Sequence, residues 1–215
     1  MTTPYLHSHL FEINDNIVVK DHNIGDFKYQ YIDNFYKRPN DIYNMLSDSW
    51  VPNWKINPNS RNFKEYFDCR MDIDIRSQGI IGETKTIDTL RKIFKDNRLT
   101  CSKISINIFS WIIAPKNNVQ FLPHQDPYKN VLVYLDKEDC GGTAIYQNAE
   151  GVENYDESND IRHDVSKYKK DIIQAKFNRC VIFDGNTYHG GYIDDHHKYS
   201  NGKWRYNAVY FLNHG

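Results

Sequence analysis

His124, Asp126 and His189 are the residues whose types and spacing suit chemistry. Two imidazoles and one carboxylate can hold a divalent metal by one face and leave its remaining positions open. His124 and Asp126 flank Gln125. Extended backbone sends alternate side chains to one side, so this H-x-D presents both ligands together. Pro123 and Pro127 bracket the pair and stiffen the backbone that carries it. His189 follows Phe183-Asp184-Gly185-Asn186-Thr187-Tyr188, a strand end turning through glycine, and would bring a third ligand from a distant strand. A lone histidine is more often a hydrogen-bonded core or surface residue, but three ligands in this order argue for a metal. Such a donor set accepts iron, manganese or zinc.

Arg205 opens the segment Trp204-Arg205-Tyr206-Asn207-Ala208-Val209-Tyr210-Phe211. At the head of an apolar strand a charge can sit at the solvent end. Turned inward, its planar fork would grip a carboxylate with two parallel hydrogen bonds. The inward positions would then be Arg205, Asn207, Val209 and Phe211.

The elements that must position these residues read as follows. Residues 1–16 form a loosely held lead-in. Residues 17–20 and 27–32 are short strands parted by the polar turn Asp21-His22-Asn23. A helix opens at Pro39 and Asn40, with Ile42, Met45, Leu46 and Trp50 along one stripe. Residues 51–62 are a loop, and residues 70–76 alternate as a strand with one wet face, on which Asp72 and Asp74 are solvated. A second helix covers 83–97 and buries Ile87, Leu90, Ile93 and Phe94. Short strands follow at 104–113, 119–122, 131–135, 143–146, 180–183 and 205–212, without helical runs between most of them. That series predicts an α+β, mainly β chain with a jelly-roll core and the early helices on its outer face. The polar stretch 148–170 interrupts the series as an insertion. One domain spans 1–215: 1–102 support, 103–215 the core.

Composition is that of an ordinary folded protein: 215 residues, 26% charged and 40% hydrophobic. The 14% aromatic content, with 16 tyrosines, favours strands. A net charge of -1 gives no global field toward phosphate backbones or anionic lipid, so nucleic acid is not the expected partner. No run approaches the roughly 18 apolar residues of a membrane span, and the first residues lack a signal-peptide pattern. Cys69, Cys101, Cys140 and Cys180 are scattered as free thiols, which fits a cytoplasm, of a cell or of an infected host.

The pattern resembles the 2-oxoglutarate/Fe(II)-dependent dioxygenases, and among them the prolyl 4-hydroxylase-like branch, over roughly residues 104–213. The likeness rests on Phe121-Leu122-Pro123-His124-Gln125-Asp126, on Val133-Tyr134-Leu135 leading to Gly141-Gly142-Thr143, on Val181-Ile182-Phe183-Asp184 ahead of His189, and on Arg205-Tyr206. Ile32-Asp33-Asn34-Phe35-Tyr36 before a helix is similar to a phage-associated subgroup. The resemblance implies that His124, Asp126 and His189 bind Fe(II) and that Arg205 grips the distal carboxylate of 2-oxoglutarate. It puts Tyr134 on the same carboxylate, with a plain strand-core tyrosine as the alternative. Asn207 joins them as a cofactor-binding residue, and Thr187, Asp184 and Asn207 are placed around the ligands. O2 would be the second cosubstrate and ascorbate the reductant. The implied activity hydroxylates a C–H bond of a peptide, protein side chain or small molecule and releases succinate and CO2. The alternative is a non-catalytic or cupin-like metal-binding jelly roll that binds a partner or small acid.

The interval from His189 to Arg205 exceeds the family's usual spacing. The extra residues 194–202 read as a polar hairpin tip that loops out. His196-His197, His7 and His9 are taken as incidental. His163 and its acidic surroundings are a candidate lid. Trp50, Trp54, Phe63, Tyr66 and Phe67 are expected to pack helices on the sheet.

Overall fold

The computed structural model describes residues 8–48, 55–56, 66–74, 81–116, 120–126, 128–138, 140–147, 149, 162–163, 165–166 and 168–214. Among them the strands are β1 Lys20–Ile24, β2 Phe27–Ile32, β3 Lys55–Ile56, β4 Tyr66–Asp74, β5 Leu99–Trp111, β6 Gln120–Phe121, β7 Lys129–Tyr134, β8 Gly142–Gln147, β9 Arg162–His163, β10 Lys169–Gln174, β11 Cys180–Asp184, β12 His189–Tyr192 and β13 Arg205–His214. The helices are α1 Pro39–Ser47 and α2 Ile81–Phe94, with 3-10 turns at Ser8–Phe11 and His196–Tyr199. A large antiparallel sheet runs β1-β2-β11-β7-β13-β5-β4-β3 and a smaller one runs β10-β8-β12. A ribbon of β6 and β9 completes the set. The architecture is the expected mainly β jelly roll.

Alternation in the central strands separates two environments. Ile104, Ile106 and Ile108 of β5, Val131 and Val133 of β7, Cys180 and Ile182 of β11, and Tyr206, Ala208 and Tyr210 of β13 face the larger core. Leu10, Phe11, Ile42, Leu46 and Leu90 close that core from the outside, so the helices do pack on the outer face. The other side chains of the same strands turn inward. Tyr134, Val181 and Phe183 pack there against Ile145 and Ile173 of the smaller sheet. In α1, Pro39 stands in the first turn, where its missing N–H costs nothing, and Ile42 and Leu46 share one stripe.

Several expectations shift. The lead-in is packed from residue 10 on: Leu10, Phe11 and Ile13 are buried, and Asn14 N–H donates to Phe35 O at 2.8 Å. The first strand begins at Lys20, not at 17, because Gly25-Asp26 makes the turn and Asp21–Asn23 pair with β2. β10 falls where the 148–170 insertion was expected to end, and β9 lies inside it. Within that stretch Ala149 and Val165 are buried and Tyr168 packs against their cluster, while its residues 148, 150–161, 164 and 167, with Trp50, Trp54, the 51–62 loop apart from β3, Phe63, His7 and Pro127, lie outside the described residues. No helix among the described residues is long and apolar enough to cross a membrane.

Ile106 is fully buried between sheet and helices. Ile106→Ala is expected to lower unfolding free energy by about 2–5 kcal/mol in urea titrations. A second expectation concerns pH. Arg179 meets Asp33 with Nε at 2.7 Å and Nη2 at 3.3 Å, tying the end of β2 to the approach to β11. The Arg179 hydrogen bond holds the Asp33 carboxyl below its usual range against partial burial, which pushes it up. A depressed folded pKa stabilises above the unfolded value and loses that contribution as pH falls through the folded one. Asp33→Asn should therefore be less stable than the parent at pH 7, and denaturant midpoints should converge below about pH 4.

Candidate metal centre

The stretch after β6 runs beside β12, and His124 and His189 exchange both backbone hydrogen bonds, each at 2.9 Å. That antiparallel pairing sets the two imidazoles side by side, with ring centroids 4.5 Å apart. His124 Nδ1 lies 3.1 Å from Leu122 O, and His189 Nδ1 lies 2.8 Å from Thr187 O. A carbonyl two residues upstream thus faces each Nδ1, which turns the Nε2 edge of both rings toward the metal position; Asn130 Nδ2 also lies 3.0 Å from His189 Nε2. Asp126 N–H donates to Gly185 O at 2.8 Å, and Gly185 N–H donates to Tyr128 O at the same distance. Asp126 Oδ2 then stands 3.3 Å from His189 Nε2. One ligand atom from each of the three residues lies within 4.8 Å of the others.

The electrostatics suit a metal. Burial pushes the Asp126 carboxyl up, but His189, His124 and the Asn130 amide outweigh it and hold it at about 2. The surrounding protein, then the neighbouring His189, lowers His124 below the ordinary imidazole range, although one edge of its ring stays open to the cleft. An ionised carboxylate and a neutral imidazole are the forms that ligate.

The triad opens into a cleft of about 500 Å³ shared by both sheets. Arg205 and Asn207 of β13, Asn107 of β5 and Thr143 of β8 belong to its wall. Arg205 is 7% exposed, donates from Nη2 to Gly142 O at 3.0 Å, and lies over the Phe121 ring at 6.0 Å. It forms no ion pair among the described residues, although its charge acts on the buried Asp136 carboxyl. Asn107 Nδ2 donates to Asn207 Oδ1 at 3.2 Å, bridging β5 and β13. Tyr134 is not in the wall. Its hydroxyl pairs with Thr143 Oγ1 at 2.7 Å, and burial pushes its pKa up to about 12, so it keeps its proton.

The structure thus brings His124, Asp126, His189, Arg205 and Asn207 into one cleft and sets Tyr134 behind Thr143. Other expectations need correction. Phe211 is 38% exposed, and the β13–β5 register shifts just after it, so the inward series ends at Val209. Thr187 contributes its carbonyl, while the Asp184 carboxylate accepts from Asn186 N–H in the exposed turn and does not reach the ligands. Residues 194–202 do not loop out. His196 and Tyr199 are buried there, Trp111 Nε1–H donates to His196 Nδ1 at 3.1 Å, and only His197 of the pair is exposed. Asn130 and Asn107 were missed. Asn107 had a signal, as a polar residue at an alternate position in an isoleucine-rich strand; Asn130 had none.

HygX from Streptomyces hygroscopicus, solved with nickel and 2-oxoglutarate bound, superposes with a TM-score of 0.54 at 12% identity, over 86% of this chain and 82% of that one. The non-haem α-ketoglutarate-dependent epimerase SnoN from nogalamycin biosynthesis gives 0.50 at 9% identity, over 86% and 77%. This chain is similar to both in fold. No protein-family model and no curated protein matches the sequence.

Gly185 is where the site tolerates least. A Cβ there would stand 2.0 Å from Tyr128 O and 2.7 Å from Asp126 O, so the backbone carrying Asp126 would have to move. Gly185→Ala is expected to weaken metal affinity about tenfold or more, measured by competition with a chromophoric chelator, with the far-UV spectrum retained.

Proposed function

We propose that the protein is an Fe(II)- and 2-oxoglutarate-dependent oxygenase that hydroxylates a C–H bond. The observation that carries this reading is the convergence of His124, Asp126 and His189 within 4.8 Å in a cleft that also buries the Arg205 guanidinium. The donor set fits: two imidazoles and one carboxylate leave open positions on a metal of this class. The cation fits as well: the buried guanidinium forms no ion pair among the described residues, acting on the buried Asp136 carboxyl only through its charge, and so can take an anion from the cleft. When bound, Fe(II) with 2-oxoglutarate and O2 supplies an oxidant able to break a C–H bond, releasing succinate and CO2.

The protein's own groups bind and orient. Arg205 would grip the distal carboxylate, with Thr143 in the same wall and its hydroxyl held by the Tyr134 hydroxyl at 2.7 Å. Tyr134 would then act on the carboxylate through Thr143. Asn207, held by Asn107, lines the same wall. Phe121, Leu132, Phe183 and Val209 keep the cleft apolar between these points, which strengthens each charged contact.

The prolyl 4-hydroxylase-like branch remains our placement of the chain within the superfamily, on the residues around His124 and Tyr134. For the substrate we favour a small molecule over a peptide side chain. HygX and SnoN, which share this fold, have been solved with hygromycin B and nogalamycin RO bound, respectively. Ascorbate is the reductant we expect to sustain turnover, and a cytoplasmic setting suits the buried free thiols.

Adding Fe(II) and 2-oxoglutarate without oxygen should give a visible charge-transfer band. Admitting oxygen should convert 2-oxoglutarate to succinate. His124→Ala and Asp126→Ala should abolish the band, and metal retained undiminished in both would refute the assignment. Arg205→Met should raise the 2-oxoglutarate concentration for half-saturation by about 10- to 100-fold, the loss of a charged hydrogen-bonded pair, while Fe(II) affinity stays unchanged.

A further inference from the structure

His196 and His197 are neighbours in sequence with opposite surroundings. His197 is exposed, and His196 is buried in the 3-10 turn His196–Tyr199. Trp111 Nε1–H donates to His196 Nδ1 at 3.1 Å, and the two rings meet edge to face. An indole nitrogen can only donate, so Nδ1 is the bare nitrogen and the single ring proton sits on Nε2. Nε2 is buried and meets no partner among the described residues. The imidazole is therefore neutral and held by one bond. Its one vacant place for a proton is Nδ1, where the indole N–H already points.

We propose that His196 is a proton-sensitive latch: a proton taken up at Nδ1 breaks its bond to Trp111 and loosens the segment that leads into Arg205. Trp111 is the last residue of β5 and is bridged to Ser200, and Ser110 Oγ beside it donates to Lys203 O at 2.8 Å. Arg205 enters β13 opposite Phe109 of the same strand. Protonation sets two donors face to face and puts a cation among Trp111, Tyr66 and Tyr199, where charge is costly. Burial lowers the imidazole below its ordinary range; Asp195 opposes this, His197 adds to it and Asp194 opposes it. Around the ring stand Asp194, Asp195, His197 and Lys198 of its own segment, and Cys140 ahead of β8, whose Sγ–H donates to Asp194 Oδ1 at 2.6 Å. β5 presents only the indole to it, and Tyr66 of β4 and Tyr199 are phenols that do not titrate near neutral pH. Asp136 and Arg205 lie beyond Tyr199. With the folded pKa depressed, the unfolded chain takes up the proton first as pH falls, so the latch stabilises fully above the unfolded value and less below it. The effect on the dicarboxylate rests on the reading of Arg205 above; the latch itself does not.

Urea denaturation of the parent and of His196→Asn from about pH 7.5 to pH 5 tests the latch. The asparagine oxygen takes the place of Nδ1 as acceptor and does not titrate. Below the ordinary histidine value of about 6.5, the parent should lose up to about tenfold in folding equilibrium constant per pH unit relative to the variant. Parallel profiles would overturn the latch. Should His196→Asn fail to fold, the assigned Trp111 indole 15N–1H signal of the parent decides: it should titrate with one midpoint below the ordinary histidine value, and a signal that stays fixed would overturn the proposal. The anaerobic Fe(II)–2-oxoglutarate band reads the output. Relative to His196→Asn, the parent should lose 2-oxoglutarate affinity as pH falls over the same range, and a constant ratio would disprove the link to Arg205. No band in either protein at any pH would instead sink the cofactor reading, while the urea profiles would still decide the latch.

Discussion

The centre depends on one reciprocal pair of backbone hydrogen bonds, between His124 and His189. It makes the two candidate ligands neighbours by main-chain pairing, before any side-chain rotamer is chosen. Asp126 is tied in the same way, through its N–H to Gly185 O. A side chain reinforces the joint: Gln120 Nε2 donates to Ile193 O at 2.6 Å and its Oε1 accepts from Ile193 N–H at 2.8 Å, as a strand neighbour would. The stretch bearing His124 and Asp126 is thereby stitched to β12 at His124 and to the chain on either side of β12 at its two ends. Geometry set by backbone persists without metal, which is what preorganisation requires.

The rest of the jelly roll converts one sequence property, alternation, into two surfaces. Tyr206, Ala208 and Tyr210 anchor β13 to the helix-side core, and the intervening Arg205, Asn207 and Val209 are left no choice but the cleft. A slip of one residue in that register would carry Arg205 into the apolar core, where an unpaired charge is prohibitive. The hydrophobic pattern that stabilises the sheet is therefore also what aims the cation. Gly191 serves the same wall from the other sheet: a Cβ there would lie 2.8 Å from the Phe121 ring that supports Arg205.

The central strands and the triad were legible in the chain because alternation and ligand spacing are local signals. β13 alternates in burial, β7 and β11 read as short apolar runs buried on both faces, and His124 and Asp126 sit two apart. What escaped lacks such a signal. β12 is His-Gly-Gly-Tyr, whose glycines lower strand propensity but are demanded by the close approach of Phe121. β1 is an exposed polar edge, Lys20–Ile24, so nothing in its hydrophobicity separates strand from turn. β10 begins with two lysines and an aspartate next to a polar stretch and takes its place by pairing with β8. Asn130 gains its meaning only from His189, far away in the chain.

The long interval before Arg205 shows how an insertion can preserve a site. Residues after β12 fold back under the end of the barrel, where Ile193, Tyr199 and Ser200 are buried with Trp111. Ser200 bridges Trp111, and Ser110 Oγ donates to Lys203 O at 2.8 Å. Both contacts fall on the last residues of β5, just before the chain enters β13. The entry point is thus fixed by β5 itself, and Arg205 pairs with Phe109 whatever the length of the segment ahead of it. The extra residues close the barrel floor and leave the cation in register, so an interval that looked like the weakest part of the pattern is held by the strand that also supplies Asn107.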